Sequence, residues 1–401
     1  MKLLAITGYY KPAYVYGGPA RSEALLYESL ARSGVEVTVI TTDANGSEKL
    51  DMPLLTPVDV GGVQVIYCPT RPVPGSAFYS PTQIKLAKQH LPGADVVDLQ
   101  TFWGYATRPL SQHCINHHIP YYVSLHGQLM DYGMRQTGWI KRLKKNLFLH
   151  LVGYRFLNGA AALRCTSSLE IAHLQAYPIN TPTFLVPDGI DVNTFKTLPD
   201  RGQVRAQYQI PAEALVMVMI GRLVAVKNAH IAVAALIASQ TLPTAVHLLM
   251  VGPDEHHLQP ALQEQARQAG CADRLHFTGL MQKDSLLQAM ADSDLLVMPS
   301  ESENFGMSAA ESMAAGLPIL VSDAVPVGAW AKQACAGETA ACDKDDFCGA
   351  AVAMLSNPAQ LKEMGRNGKA AAAKLFDHEI VAKEMRTHLE RIIEQANKYY
   401  V

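Results

Sequence analysis

The chain has 401 residues, of which 49% are hydrophobic and 17% charged, so it is too long for one ordinary domain and too apolar for a disordered protein. Its net charge of −2 excludes a nucleic-acid-binding protein of the usual basic kind. Apolar runs stay shorter than the roughly 18 residues of a membrane span, and the segment 1–7 is typical of a strand rather than of a signal sequence. We therefore expect two or three domains and a cytoplasmic location.

The seven cysteines are an odd number and include no CxxC pair. Cys335, Cys342 and Cys348 lie close together in the sequence, but no histidine accompanies them. This pattern predicts reduced thiols and no zinc site.

The first half of the chain alternates short apolar strands with helices. A strand over 2–7, a loop containing Gly17 and Gly18, a helix that begins at Pro19 and a strand over 35–40 form a β-α-β unit, which requires parallel strands. The loop lacks the GxGxxG pattern, so a dinucleotide fingerprint is absent. Its glycines either face a ligand or form a plain turn from strand to helix.

Further strands are predicted over 63–68, 95–99, 120–125, 160–165 and 183–186. The third of these ends in Ser124-Leu125-His126-Gly127. A lone histidine beside an apolar strand is more often a structural hydrogen-bonding residue than a functional one. Ligands bind at the carboxyl ends of parallel strands, so this position favours a functional role for His126.

A helix predicted over 138–158 carries Ile140, Leu143, Leu147 and Leu151 on one stripe. Its basic residues belong to a run without acids that extends from 132 to 169, and they are Lys141, Arg142, Lys144 and Lys145. Two interpretations remain open. The helix covers its own domain with the lysines in solvent, or its basic residues contact anionic lipid head groups.

The second half repeats the strand and helix alternation, with strands over 215–220, 246–251, 274–278, 295–298 and 319–323. Arg222 and Lys227 follow the first of these strands, where they form a cationic pair suited to a diphosphate. The alternative is a pair of solvated surface cations. A polar loop with Glu303 follows the strand over 295–298, and a helix from about Gly306 carries Glu311. Two carboxylates so placed suit two hydroxyl-binding roles on one ligand held at the helix N-terminus.

Three motifs carry a resemblance to a known family. Glu303-Asn304-Phe305-Gly306, followed by Glu311 and Ala315-Gly316-Leu317-Pro318, resembles the signature of the retaining glycosyltransferases of family 4. Gly221-Arg222-Leu223 and Lys227 are similar to the family's Gly-Arg-Leu and Lys-Gly motif, although Asn228 replaces the second glycine. The segment 187–191 resembles the inter-domain Pro-Asn-Gly-Val-Asp motif with Asp188 in place of asparagine. Asp98 or Gln100 stands where the family often has a histidine.

The resemblance implies the GT-B fold, in which two Rossmann-like, doubly wound parallel-sheet domains face each other across a cleft. The acceptor-side domain would comprise residues 1–189, with a C-terminal helix over 379–401 packing back on it, and the donor-binding domain residues 190–378. The implied activity is a metal-independent, front-side transfer from a UDP- or GDP-sugar to a glycan or lipid-linked saccharide. A peripheral location at the inner face of the membrane would follow from a lipid-linked acceptor.

The resemblance also assigns roles to individual residues. Glu303, His126, Arg222 and Lys227 are the implied catalytic residues. The implied donor-binding residues are Gly17, Gly18, Arg222, Lys227, Glu303, Asn304, Phe305, Gly306, Met307 and Glu311. His126 would contact the donor sugar at a hydroxyl or through its backbone carbonyl, and Glu311 would bind the ribose.

Asp292-Ser293-Asp294 imitates the metal-binding DxD motif of a different glycosyltransferase architecture. It precedes a strand and so lies at the wrong end of the sheet for the site, which indicates a structural role. No cofactor or metal is expected beyond the donor substrate. Two alternatives are a GT-B-like nucleotide-sugar epimerase or phosphorylase, and a non-catalytic subunit that binds nucleotide sugars and activates a partner.

Overall fold

The computed structural model describes residues 1–73, 78–100, 102–130 and 138–400. It divides into two compact units, one formed by Met1–Gly189 with His378–Val401 and the other by Ile190–Asp377. Each unit is built on a predominantly parallel β-sheet with helices on its faces. None of the helices in these ranges combines the length and the apolar character that crossing a bilayer requires.

The sheet of the first unit has the strand order β10-β9-β8-β7-β1-β2-β6-β5, and all pairs are parallel except β5 with β6. The edge strand β5 and a separate two-stranded hairpin, β3 with β4, are elements that the sequence analysis did not predict. The strands are β1 Lys2–Ile6, β2 Glu36–Thr42, β3 Ala44–Asn45, β4 Glu48–Lys49, β5 Val58–Val60, β6 Val63–Cys68, β7 Val96–Leu99, β8 Tyr121–Ser124, β9 Ala162–Cys165 and β10 Thr183–Leu185.

Two helices of the first unit begin at a serine whose hydroxyl caps the helix. The Ser80 hydroxyl accepts a hydrogen bond from the Gln83 amide before α2, and Ser167 caps α6 in the same way through the Glu170 amide. The helices are α1 Gly18–Arg32, α2 Pro81–His90, α3 Thr107–Asn116, α4 Trp139–Phe148, α5 Tyr154–Asn158, α6 Ser168–Leu174 and the C-terminal α15 His378–Tyr400.

The long C-terminal helix α15 belongs to the first unit. Its apolar side chains, among them Met385 and Leu389, are buried in the same hydrophobic cluster as α1 and the strands β1 and β2. Near its start the Arg32 guanidinium pairs with Glu379 at 2.6 Å. Residues that are distant in sequence therefore close one face of this sheet.

The predicted helix over 138–158 is wrong in one respect, because a π-helical turn over Leu149–Gly153 separates α4 from α5. The wider turn rotates the segment that follows. Phe156 and Leu157 of α5 are fully buried, whereas Leu143 and Leu147 of α4 are exposed. The residues of the predicted apolar stripe are all exposed, whereas the apolar side chains after the π-helical turn are buried, so one regular helix does not describe the whole segment. The start of the basic run, residues 132–137, lies outside the described residues.

The second unit has six parallel strands in the order β13-β12-β11-β14-β15-β16. Strands such as β14 are buried along their whole length, as expected where helices cover both faces of a parallel sheet. The strands are β11 Leu215–Ile220, β12 Val246–Val251, β13 Leu275–Gly279, β14 Leu295–Met298, β15 Ile319–Ser322 and β16 Gly337–Ala340. The helices are α7 Gln203–Gln207, α8 Ala229–Ala238, α9 Gln259–Gln268, α10 Lys283–Ala291, α11 Met307–Ala314, α12 Val327–Gln333, α13 Lys344–Leu355 and α14 Pro358–Leu375.

Candidate active site

The second unit has a topological switch point beside its first strand. The chain proceeds from β11 to β12 and β13 on one side and then returns to place β14 on the other side of β11. The loops after β11 and β14 therefore diverge at the carboxyl edge, which is where open α/β sheets bind ligands. The predicted site residues Arg222, Lys227 and Glu303 all lie on these two loops.

Lys227 and Glu303 meet at this edge. The Lys227 ammonium donates a hydrogen bond to a Glu303 carboxylate oxygen, and both side chains are mostly buried. The Glu301 amide, which donates to the Val226 carbonyl at 2.8 Å, holds the two loops together. Asn228 ends the first loop in the left-handed conformation, which asparagine tolerates better than most residues. The structure thus places a cation and a carboxylate from separate motifs in direct contact.

Arg222 has a different neighbour. Its guanidinium donates to Glu255 at 3.0 Å, and its side chain is 60% exposed. Gly252 lies beside this loop with φ of +143°, and a Cβ there would lie 1.9 Å from the Gly221 carbonyl oxygen. Only glycine permits this approach of the loops after β11 and β12. Arg222 is therefore held at the same sheet edge as Lys227, but its charge is already partly balanced.

The segment that leads into α11 combines core and surface roles. Phe305 is buried against Trp330 and Phe376, so only its backbone is suited to contact a ligand. Gly306 precedes the helix with φ of +101°, and a Cβ there would lie 2.7 Å from Val325. Asn304, Met307 and Glu311 are partly exposed around the same helix start. The Ser308 hydroxyl donates to the Ile220 carbonyl at 3.1 Å, which places the start of α11 against the end of β11.

In the first unit His126 follows β8 in a left-handed conformation with φ of +47°. Its side chain is only 5% exposed, and its Nε2 lies 3.4 Å from an oxygen of Glu23. The next amide, of Gly127, donates to Glu170 at 2.5 Å. The buried ring disfavours contact with a sugar hydroxyl and leaves the backbone carbonyl as the group suited to the expected interaction.

The glycines of the first loop lie at the start of α1. Gly17 has φ of +85°, and a Cβ there would meet nothing within 4 Å. Gly18 is the first residue of the helix and is followed by Pro19. The loop thus presents open backbone at a helix N-terminus, a geometry suited to an anion.

Around His126 the structure reveals a buried charge cluster that sequence reasoning missed. Arg164 of β9 is 1% exposed and donates to Glu23 at 2.5 Å, while its other terminal nitrogen lies 3.8 Å from Asp188. Asp98 accepts hydrogen bonds from the Tyr27 hydroxyl at 2.6 Å and from Ser124 at 3.1 Å. Arginine inside an otherwise apolar strand was the one signal in the sequence that could have pointed to this cluster.

Burial and neighbouring charges shift the pKa values of the acids in this cluster. Burial alone would raise the pKa of the Glu23 carboxyl, but the charges of Arg164 and His126 outweigh it and lower that pKa. Burial raises the pKa of Asp98, and the charge of Glu23 raises it further. Burial also raises the pKa of Asp188. Such opposed shifts are typical of functional sites, although structural ion-pair networks also produce them.

Glu23, His126 and Asp188 could in principle hold a metal ion, because their ligand atoms lie within 4.8 Å of one another. The Arg164 guanidinium, however, contacts the same two carboxylates and already supplies positive charge there. A second cation would be repelled by it. The donor set therefore fits an ion-pair cluster better than a cation site.

The carboxylates of the DxD-like segment accept hydrogen bonds from other groups of the protein. Asp292 accepts from the Val204 amide at 2.7 Å and the Arg205 amide at 3.1 Å at the start of α7. Asp294 accepts from the Arg205 guanidinium at 3.0 Å and from the Val216 amide at 2.8 Å. Both carboxylates tie α7 to the amino end of the sheet, which is a structural role.

Two family models match the two halves of the chain. Residues 17–189 match the glycosyl transferase 4-like domain, and residues 200–371 match glycosyl transferases group 1. The chain is similar to the D-inositol 3-phosphate glycosyltransferase of Segniliparus rotundus, with 28% identity over 52% of the chain and 47% of the relative, so this alignment spans about half of the relative. It is also 25% identical to the glycogen synthase of Mycobacterium tuberculosis over 95% of the chain and 92% of that enzyme.

The fold is shared with solved structures. The crystal structure of HepE from Anabaena in complex with UDP-glucose matches with a TM-score of 0.73 and 20% identity over 98% of the chain and 100% of that protein. The likeness extends over both units of the chain. The chain therefore belongs to the group 1, family 4-like glycosyltransferase enzymes and has the GT-B fold.

Proposed function

We propose that the protein is a retaining glycosyltransferase that moves a sugar from a nucleotide-diphosphate sugar to a glycan or lipid-linked saccharide without a metal ion. The observation that carries this proposal is the contact of Lys227 with Glu303 at the switch point of the second unit, beside the start of α11. UDP is the favoured nucleotide, because the related HepE structure contains UDP-glucose. GDP remains the alternative.

The geometry suggests how the donor is engaged. A diphosphate at this sheet edge competes with Glu303 for the Lys227 ammonium, since two phosphate charges attract it more strongly than one carboxylate. Glu303 is then released to hold hydroxyls of the donor sugar and to stabilise positive charge at the reacting carbon. Arg222, by exchanging Glu255 for phosphate, adds a second cation. Glu311 serves the ribose, and backbone amides of 304–307 serve the sugar and phosphates.

In the proposed reaction the bond between the anomeric carbon and the leaving phosphate oxygen breaks while the acceptor hydroxyl attacks from the same face. The hydroxyl proton passes to the leaving phosphate, whose growing negative charge Lys227 and Arg222 stabilise. No protein nucleophile is needed. Gly17 and Gly18 serve the donor phosphates or the acceptor through open backbone, and His126 serves the donor sugar through its carbonyl.

The decisive assay incubates the protein with UDP- and GDP-sugars and follows nucleotide release with and without saccharide acceptors. Acceptor-dependent release, with the product linkage shown by NMR to keep the donor's anomeric configuration, supports the proposal. Inversion of that configuration would contradict it. Tight binding of a nucleotide sugar without turnover, under conditions that support a related transferase, would favour the alternative of a non-catalytic subunit.

We also propose that the protein works at the inner face of the membrane. If α4 covered its own domain, its apolar stripe would be buried, but Trp139 is 77% exposed, Leu143 62% and Leu147 57%. Lys141, Arg142, Lys144 and Lys145 lie on the same short helix. An apolar face flanked by basic residues is the pattern of a helix that lies in an anionic membrane surface. This location would give access to a lipid-linked acceptor.

A further inference from the structure

A groove of about 880 Å³ lies on the first unit, between α2, the loop after β7, α3 and the segment that follows α4. Lys88 of α2 and Arg108 of α3 line it, and both are exposed. Within the described part of the chain neither has an acidic partner. His113 lines the same groove, and burial lowers the pKa of its imidazole, with the charges of His117 and Lys88 lowering it further. The groove therefore concentrates positive charge that the protein itself does not neutralise.

The surrounding sequence reinforces this charge. Residues 60–163, which include all the residues that line the groove, contain ten lysines and arginines but only three acids, Asp95, Asp98 and Asp131. Asp98 is buried, and Asp95 lies beside the N-terminal amino group at 3.9 Å. Asp131 lies outside the described residues. A field of one sign along a groove attracts an anionic ligand.

One wall of the groove is aromatic. Tyr79 and Tyr105 meet edge to face with ring centroids 4.5 Å apart, and Trp103 packs on Phe148 at 5.4 Å. The Trp103 ring is fixed by a hydrogen bond from its Nε1 to the Gln128 carbonyl at 3.0 Å. Flat, rigid rings beside polar groups are suited to the apolar faces of a sugar as well as to a lipid chain.

The groove adjoins the exposed face of α4. Phe148 and Val152 line it, whereas Leu147 and Leu151, one residue before each, are 57% and 69% exposed. A helix that lies in a membrane surface buries its apolar face at the level of the head groups and upper acyl chains. With α4 in the membrane surface, as proposed, the groove would open at the level where the charged group of a membrane-embedded ligand lies.

From this juxtaposition we infer that the groove binds the diphosphate group of a polyprenyl-diphosphate-linked saccharide, with Lys88 and Arg108 on the phosphates and the aromatic wall beside the first sugar. The inference rests on the proposed function, because it names the class of acceptor. A diphosphate carries more negative charge than the single phosphate of a bulk phospholipid, so it is the better match to the two unneutralised cations.

The test compares two kinds of vesicle. Phosphatidylcholine vesicles are doped with polyprenyl diphosphate or, at equal surface charge, with phosphatidylglycerol, and binding of the full chain is measured by cosedimentation. The variant Lys88→Ala/Arg108→Ala is compared with the matched control Lys141→Ala/Lys144→Ala on α4. All four side chains are exposed, so unfolding is not expected, and circular dichroism checks this.

We expect wild-type protein to prefer the diphosphate vesicles by at least about tenfold, and the groove variant to lose that preference while still binding phosphatidylglycerol vesicles. The α4 variant should bind both kinds of vesicle more weakly but keep the preference. Equal binding of both vesicles by the wild type would overturn the inference, as would an unchanged preference in the groove variant. A parallel loss of binding to both vesicles would assign the groove to bulk lipid instead.

The outcomes distinguish a failure of the groove inference from a failure of the proposed function. If the wild type binds and slowly hydrolyses a UDP- or GDP-sugar but shows no diphosphate preference, the groove inference alone is wrong. If the preference is present but no nucleotide sugar binds in a thermal-shift titration, the proposed donor site is wrong and the groove stands as a site for lipid diphosphates.

Discussion

Arg164→Met removes the positive charge at the centre of the buried cluster in the first unit. Methionine keeps most of the aliphatic stem, so the change leaves Glu23 and Asp188 as buried acids without their guanidinium. The interaction of two unit charges at about 4 Å is worth roughly 4 kcal/mol at an effective dielectric constant of about 20. Breaking a buried ion pair on one side costs about 3–5 kcal/mol in measured cases. We therefore expect the unfolding free energy of this unit to fall by about 3–5 kcal/mol at neutral pH.

The loss of unfolding free energy should become smaller as the pH falls. In the wild type the pKa of Glu23 is lowered, so this residue stabilises the fold above its ordinary pKa and that contribution disappears as the pH falls. Without Arg164 burial dominates, and the pKa of Glu23 would rise above its unfolded value. The folded variant then gains protons as the pH falls from neutral, which stabilises it relative to the unfolded chain. The difference between wild type and variant should shrink between about pH 8 and pH 5.

The measurement is urea unfolding in a Trp330→Phe background. Trp330 belongs to the second unit, so the remaining fluorescence comes from Trp103 and Trp139 of the first unit. The double variant Arg164→Met/Glu23→Gln should be more stable than Arg164→Met, because it removes one of the stranded charges. A deficit below about 1 kcal/mol, or one that is independent of pH and unrelieved by Glu23→Gln, would refute the electrostatic explanation.

The other predictions concern the second unit. Lys227→Ala and Glu303→Ala should each lower turnover by at least about 100-fold, the scale of one preorganised charge partner, and near-normal nucleotide release in both variants would reject their roles. Activity should persist in excess EDTA, whereas strict dependence on added magnesium would reopen the question of a metal. Gly306→Ala should destabilise the second unit by at least about 1–2 kcal/mol and weaken donor binding, because its φ of +101° and the nearby Val325 oppose a Cβ. Gly349→Ala, whose Cβ meets nothing within 4 Å, is the control that should be neutral or slightly stabilising in thermal denaturation.

The parallel sheets could be predicted because their sequence signals are local. Continuous apolar runs such as 295–298 and 248–251 lie in fully buried strands. The loops after β11 and β14 could likewise be placed at one sheet edge, since parallel strands put all their carboxyl ends together. That Lys227 and Glu303 touch does not follow from their spacing, because it depends on the return of β14 to the side of β11.

Periodicity alone could not predict that the apolar face of α4 is exposed. Amphipathic spacing shows that one side of a helix is apolar, but it does not show what covers that side. The structure leaves Trp139 and Leu143 exposed and inserts a π-helical turn before the buried Phe156. The two interpretations of the basic run predict the same sequence pattern. The exposure of these side chains argues against the one in which α4 covers its own domain, and contact of the helix with lipid stays a prediction.

The buried cluster includes the position at which this chain departs from the histidine of the family pattern. The family often has a histidine where Asp98 or Gln100 stands, and here the Gln100 amide donates to Glu23 at 2.7 Å and to Asp98 at 3.3 Å. Glu23 also accepts a hydrogen bond from Arg164. A substitution at only one of these positions would therefore leave a buried charge or a buried amide without its partner. Restoring a single histidine at Gln100 should therefore destabilise this chain rather than improve it. The unusual residues act as one set, and the role of His126 beside them has to be judged with that set intact.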